Sequence, residues 1–105
     1  MNRQEICRSA LETFGADIQI VVAIEELSEL QKELCKYQRG GGDIAHIAEE
    51  IADVKIMIAQ MEELFECEAF VESWTDAKLQ RLKELISLQK VHEQIMHGGE
   101  DGYKE

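Results

Sequence analysis

The chain reads as an all-α protein, a bundle of four helices. Three observations predict this: proline is absent from its 105 residues, glycine is confined to a few places, and apolar residues recur three and four positions apart between them. Gly15, the run Gly40 to Gly42, and the tail from Gly98 divide the chain into helical stretches. A hydrophobic content of 45% suits one compact domain, read here as residues 1–97 followed by a flexible polar tail, 98–105.

Each element follows from its own pattern. From about Asn2 to Phe14, Ile6, Ala10, Leu11 and Phe14 fall at helical spacing, with Asn2 as the cap, which predicts a short covering helix. A second helix is expected from Asp17 to about Arg39, with Ile20, Ala23, Leu27, Leu30 and Leu34 as its core stripe. Its start is apolar nearly all round, through Ile18, Ile20, Val21, Val22 and Ile24. That calls for burial against a second subunit as well as the chain's own core, so a homodimer or homotetramer is expected. Asp43 caps a third helix whose stripe is Ile44, Ile47, Ile51, Val54, Ile58, Met61 and Phe65, ending near Cys67. A fourth begins around Glu68 and continues through Trp74, Lys78, Leu82, Leu85 and Leu88 to about Met96.

Charge narrows the function. Twenty-two acids against eleven Lys and Arg give a net charge of -11, which repels a phosphate backbone and argues against nucleic acid as a partner. Cys7, Cys35 and Cys67 are odd in number and lack C-x-x-C or zinc spacing, so they read as reduced thiols of a cytoplasmic protein. No basic-then-apolar leader is seen before Asn2, and no apolar run approaches the roughly 18 residues that span a bilayer, so no membrane partner is expected.

The acids of the second and third helices are in register. Val22, Glu26, Glu29, Glu33 and Lys36 form one line beside the leucine stripe, and His46, Glu50, Asp53 and Met57 form another beside the stripe of the third helix. Helices joined by a short Gly-rich turn pack antiparallel, which brings Glu26 and Glu29 opposite Glu50 and Asp53. Like charges gathered at a partly buried place are costly unless protonated or neutralised, and hard divalent cations neutralise them through oxygen ligands. Mg²⁺ is the expected cofactor, with Mn²⁺ as a substitute. Mg²⁺ keeps waters or phosphate oxygens in its remaining positions, which favours phosphate chemistry. Either motif alone is common in any acidic helix; the pair on successive helices carries the signal.

In these residues the chain resembles the MazG-like all-α nucleoside triphosphate pyrophosphohydrolases, small single-domain members from phage and Gram-positive bacteria included. Their signature of E-E-x-x-E followed by E-x-x-D reads here as Glu25-Glu26-Leu27-Ser28-Glu29 and Glu50-Ile51-Ala52-Asp53. The segments AIEELSELQKELCKYQRG, HIAEEIADVKIMIAQM and WTDAKLQRL follow in the same order, so the resemblance spans about Phe14 to Leu82. It implies Mg²⁺ ligation by Glu26, Glu29, Glu50 and Asp53, with Glu25 a lesser candidate because it points about 100° away from Glu26. It also implies hydrolysis of a (d)NTP between the α and β phosphates, with Lys78 and Arg81 as a K-x-x-R element on the substrate phosphates. Of the four acids, which also form the catalytic set, Glu29 is the favoured general base.

Lys36 and Arg39, near the turn with Lys32, are candidates for phosphate contact, weighed against their reading as exposed partners of Glu33. His46 is a rim residue, because a magnesium site does not call for imidazole. Trp74 and Tyr37 are weighted toward core over base stacking, and Met57 and Met61 toward filling the space beneath the site. No residue stands out as a reader of base or sugar. A phosphoribosyl-ATP pyrophosphohydrolase-like enzyme is a neighbouring alternative. A non-catalytic helical module that binds a cation or a partner is the alternative of a different class.

Overall fold

The computed structural model describes the backbone of residues 1–104 and the side chains of residues 1–97. Four α-helices follow one another: α1 Arg3–Phe14, α2 Ala16–Gln38, α3 Ile44–Phe65 and α4 Glu68–Lys104. Among the described residues there is no strand. The side chains of the expected polar tail, 98–105, and Glu105 itself lie outside the described residues; the backbone of α4 runs past the expected end near Met96 to Lys104.

Local chemistry sets the boundaries. The Asn2 side chain accepts from the Glu5 backbone N–H at 2.8 Å, and that of Asp43 from the Ala45 N–H at 2.8 Å, so both expected caps satisfy N–H groups that a helix start leaves unpaired. Helix α2 closes as the Gly41 N–H donates to the Lys36 carbonyl at 3.0 Å and Arg39 to Cys35 at 3.2 Å. Gly42 then turns the chain with φ +87°, and a Cβ there would lie 3.0 Å from the Tyr37 nitrogen; conformation and crowding both require glycine. Helix α3 ends differently, on Glu66, a non-glycine residue in the left-handed region at φ 51°.

Two units divide the chain, Met1–Glu68 and Ala69–Glu105. In the first, α2 and α3 form an antiparallel hairpin and α1 packs on both, more on α3 than on α2. Ala23, Val54 and Met57 are the buried apolar side chains of the hairpin, and Cys7 is that of α1. Buried among them, the Gln19 side-chain amide donates to Gln60 Oε1 at 2.6 Å. This pair locks the far end of the hairpin in register, because sliding either helix by one residue would leave a buried amide unpaired. At the same end Arg8 Nε meets Glu63 Oε1 at 2.7 Å, tying α1 to α3.

The buried faces differ from those expected. On α2 the inward residues are Gln19, Ala23 and Glu33, with Val22, Glu26, Leu30 and Lys36 half-buried. Leu27 and Leu34, expected in the core, are 52% and 47% exposed, while Glu33 is only 8% exposed. At about 100° per residue, this is a rotation of roughly 70° that turns the acidic line inward and the leucines outward. On α3, Val54 is buried and Ile47 and Met61 are half-buried, but Ile44, Ile51, Ile58 and Phe65 are exposed. Ile6 and Phe14 of the α1 stripe are exposed as well. Helix α4, by itself, exposes Trp74, Leu82, Leu85 and Leu88.

Candidate metal centre

The rotation of α2 assembles the site. Glu26 faces α3 near the middle of the hairpin, one turn from Ala23 and two from Glu33, while Glu50 and Asp53 lie one turn apart on the facing helix. Each of Glu26, Glu50 and Asp53 offers a carboxylate oxygen within 4.8 Å of the others, and all three are half-buried.

Electrostatics at this place are unfavourable for three free carboxylates. Burial first, and then the negative charges of Asp53 and Glu50, push the Glu26 carboxyl above its ordinary range. Glu50 Oε2 is buried with no hydrogen-bond partner. An orphaned buried oxygen and a carboxyl that resists ionisation are what a cation with oxygen preference would relieve. The all-oxygen donor set suits Mg²⁺ or Mn²⁺, and the residues present fit such an ion.

The other candidates are placed as follows. Glu29 and Glu25 are exposed, outside the converging trio; Glu29 is about 60° round the helix from Glu26. Lys36 Nζ meets Glu33 Oε1 at 3.2 Å, the bland reading weighed for it, and Arg39 is exposed at the end of α2. On α4, Lys78 Nζ sits 5.9 Å from the centre of the Trp74 ring, and Arg81 is exposed. Trp74 and Tyr37, weighted toward the core, are exposed instead. Their polar edges and the cation beside Trp74 suit a wet surface. His46 is exposed, its Nδ1 4.0 Å from Asp43 Oδ2. Met57 is buried and Met61 half-buried, as their place beside Asp53 implied.

Sequence reasoning passed over Glu33, which is buried with one oxygen unpartnered. The available signal was spacing, since seven residues from Glu26 to Glu33 bring a helix back to nearly the same angle, whereas three to Glu29 do not. The acids do not line the groove of about 550 Å³ between α1 and α3, walled by Arg3, Ile6, Cys7, Ala52, Lys55, Ile56 and Ala59. No helix among the described residues is long and apolar enough to cross a membrane. Compared with family models, curated proteins and solved structures, the chain matches none of them.

Proposed function

We propose that the chain is a Mg²⁺-dependent nucleotide pyrophosphohydrolase of the MazG-like type, hydrolysing a (d)NTP between the α and β phosphates to the monophosphate and pyrophosphate. The observation that carries the reading is the convergence of Glu26, Glu50 and Asp53, half-buried and within ligand distance of one another. Their order along the chain, in the E-E-x-x-E and E-x-x-D pattern, supports it.

In this reading Glu26, Glu50 and Asp53 hold the cation. When bound, the ion offsets charge on the triphosphate and polarises the attacking water. Glu29, on the exposed side of the trio, is assigned as the base that takes the proton from that water. A triphosphate also needs cations from the protein, and Lys78 and Arg81 are assigned to its phosphates. Lys36 and Arg39 are the lesser candidates for that task. The active form is proposed to be a homodimer or homotetramer in the cytoplasm.

The test is turnover of a panel of NTPs, dNTPs and phosphoribosyl-ATP with Mg²⁺, reading pyrophosphate and monophosphate. Release of both from at least one nucleotide is expected, and loss of the ion's several kcal/mol in Asp53→Asn should lower kcat/KM at least ~100-fold with helicity retained. A fully active Asp53→Asn would remove the assigned centre. No turnover on any nucleotide would leave a cation- or partner-binding module. A diphosphate with orthophosphate would show cleavage at a different bond.

A further inference from the structure

Glu33 stands outside the E-E-x-x-E and E-x-x-D pattern, yet it is the most deeply buried acid among the described residues, 8% exposed. Its two oxygens differ. Oε1 accepts from Lys36 Nζ at 3.2 Å, while Oε2 is buried with no partner. Among the described residues one other buried side-chain atom shares that condition, Glu50 Oε2. The two residues lie close along the hairpin. The Gln19–Gln60 bond fixes the register of α2 against α3, so that seven residues further along α2 Glu26 meets Asp53, and after seven more Glu33 reaches the level of His46. Glu50 falls between those levels, about one turn from each. Helical side chains lean toward the N-terminus of their own helix, and in an antiparallel pair that tilts Glu33 and Glu50 toward one another.

Both orphaned atoms are carboxylate oxygens, which when ionised only accept hydrogen bonds, so what they lack is a donor. Lys36 is already engaged with Oε1. A Mg²⁺ ion held by a few carboxylates keeps several waters, and its charge makes their O–H groups strong donors. We infer that Glu33 is a positioning residue of the cation centre: Lys36 steadies one of its oxygens, and the other accepts an O–H from a water carried by the ion that Glu26, Glu50 and Asp53 hold. Reach favours a water between them over direct ligation. Glu33 is not among the acids whose oxygens come within 4.8 Å of one another, so it lies beyond the trio's own ligand distance. A carboxylate so placed orients the ion's water, and outer partners of this kind change metal affinity roughly ten- to hundredfold. The inference rests on the cation reading of the trio and is independent of which bond, if any, the chain hydrolyses.

The experiment is titration of the full chain with Mg²⁺ alone, by calorimetry and thermal melting, in the wild type, Asp53→Asn, Glu33→Leu and Glu33→Gln. Glu33→Leu, which fills similar space without an acceptor, is expected to weaken Mg²⁺ binding at least ~10-fold. Should it fail to fold, Glu33→Ala reads the same loss. Glu33→Gln keeps an acceptor oxygen at the same reach and is expected to recover most of the affinity. Without Mg²⁺, Glu33→Leu is expected to melt no lower than the wild type, because a buried unpaired oxygen has been removed. Unchanged Mg²⁺ affinity in Glu33→Leu overturns the inference; joined to a lower ion-free melt, it would confine Glu33 to its pair with Lys36. Glu33→Gln binding as weakly as Glu33→Leu overturns it too, since charge or direct ligation would then be the cause. Asp53→Asn separates this inference from the trio itself. If Asp53→Asn weakens Mg²⁺ and Glu33→Leu does not, the trio stands without Glu33. If the wild type binds no Mg²⁺, or Asp53→Asn binds it equally well, both fall together.

Discussion

Two lines of side chains on α2 lie side by side, and the helix treats them in reverse of their solvent preference. Glu26 and Glu33 turn toward α3, half-buried and buried, while Leu27 and Leu34 stay about half exposed. Left to transfer free energy the helix would sit the other way, since burying a leucine gains about 1.5–3 kcal/mol and burying an unpaired carboxylate costs several. The cost at the acids is what the proposed cation would offset. The lesson is that the less hydrophobic face of an amphipathic helix can be its inner one, as Glu26 and Glu33 are here.

The comparison is broken most severely at the core. Met57 is buried beside the acids, so Met57→Ala should cost about 2–5 kcal/mol of unfolding free energy. Leu27→Ala, measured by denaturant titration at a dilution where the chain is monomeric, should cost under about 0.5 kcal/mol, because the lost surface was already exposed. Equal costs, or the larger one at Leu27, would mean that the leucine stripe is the inner face after all.

A second effect sharpens the acidic half. With the Glu26 carboxyl raised by burial and by Asp53 and Glu50, the native state takes up a proton before the unfolded chain does. Without divalent ions, stability should therefore rise as pH falls from neutral through that raised value, and level off below the ordinary carboxyl range near the reference 4.5. Mg²⁺ should supply the same relief at neutral pH. At one hundred times its dissociation constant it would add about 2.7 kcal/mol, a melting shift on the order of 10 °C. The shift should shrink as protons displace the ion at lower pH and vanish in Glu26→Gln. Calorimetry with and without Mg²⁺ across that range decides it, and a Mg²⁺ shift that survives in Glu26→Gln would place the ion elsewhere.

Much of this was legible in the sequence and some was not, for physical reasons. Caps and turns are local, so Asn2, Asp43 and the glycines gave the first three helices to within one or two residues: Asp17 to Arg39 was expected for α2 and Ala16–Gln38 is found. Three-residue spacing and the antiparallel hairpin put four acids together, Glu26, Glu29, Glu50 and Asp53; Glu26, Glu50 and Asp53 converge, while Glu29, about 60° round the helix from Glu26, is exposed outside them. The rotation of α2 was not legible, because its acidic and leucine lines adjoin and both could border a core; the choice rests on what α3 presents opposite, above all Gln60 facing Gln19. Exposure of Ile51, Ile58 and Phe65 was hidden similarly, since α3 is apolar over more of its circumference than one neighbour can cover. Trp74 misled by size alone.

The smallest effect gives a baseline for both stripes. Glu66 ends α3 in a left-handed conformation, accepted because its N–H and that of Cys67 close the helix onto Glu63 and Glu62 at 3.4 and 3.1 Å. The closure is made by backbone groups, and a Cβ in the left-handed region carries a steric penalty, so Glu66→Gly should stabilise by about 0.5–1 kcal/mol, that penalty less the extra freedom of glycine in the unfolded chain. The residue belongs to neither stripe, so the gain should be the same with or without Mg²⁺ and at any protein concentration. A thermal melt reads it, and a loss of stability would show that α3 ends in a different backbone conformation. A gain that depended on Mg²⁺ or on concentration would instead couple this helix end to the acids or to the apolar side. The contrast between the two lines of α2 would then belong to the whole hairpin rather than to the rotation of one helix.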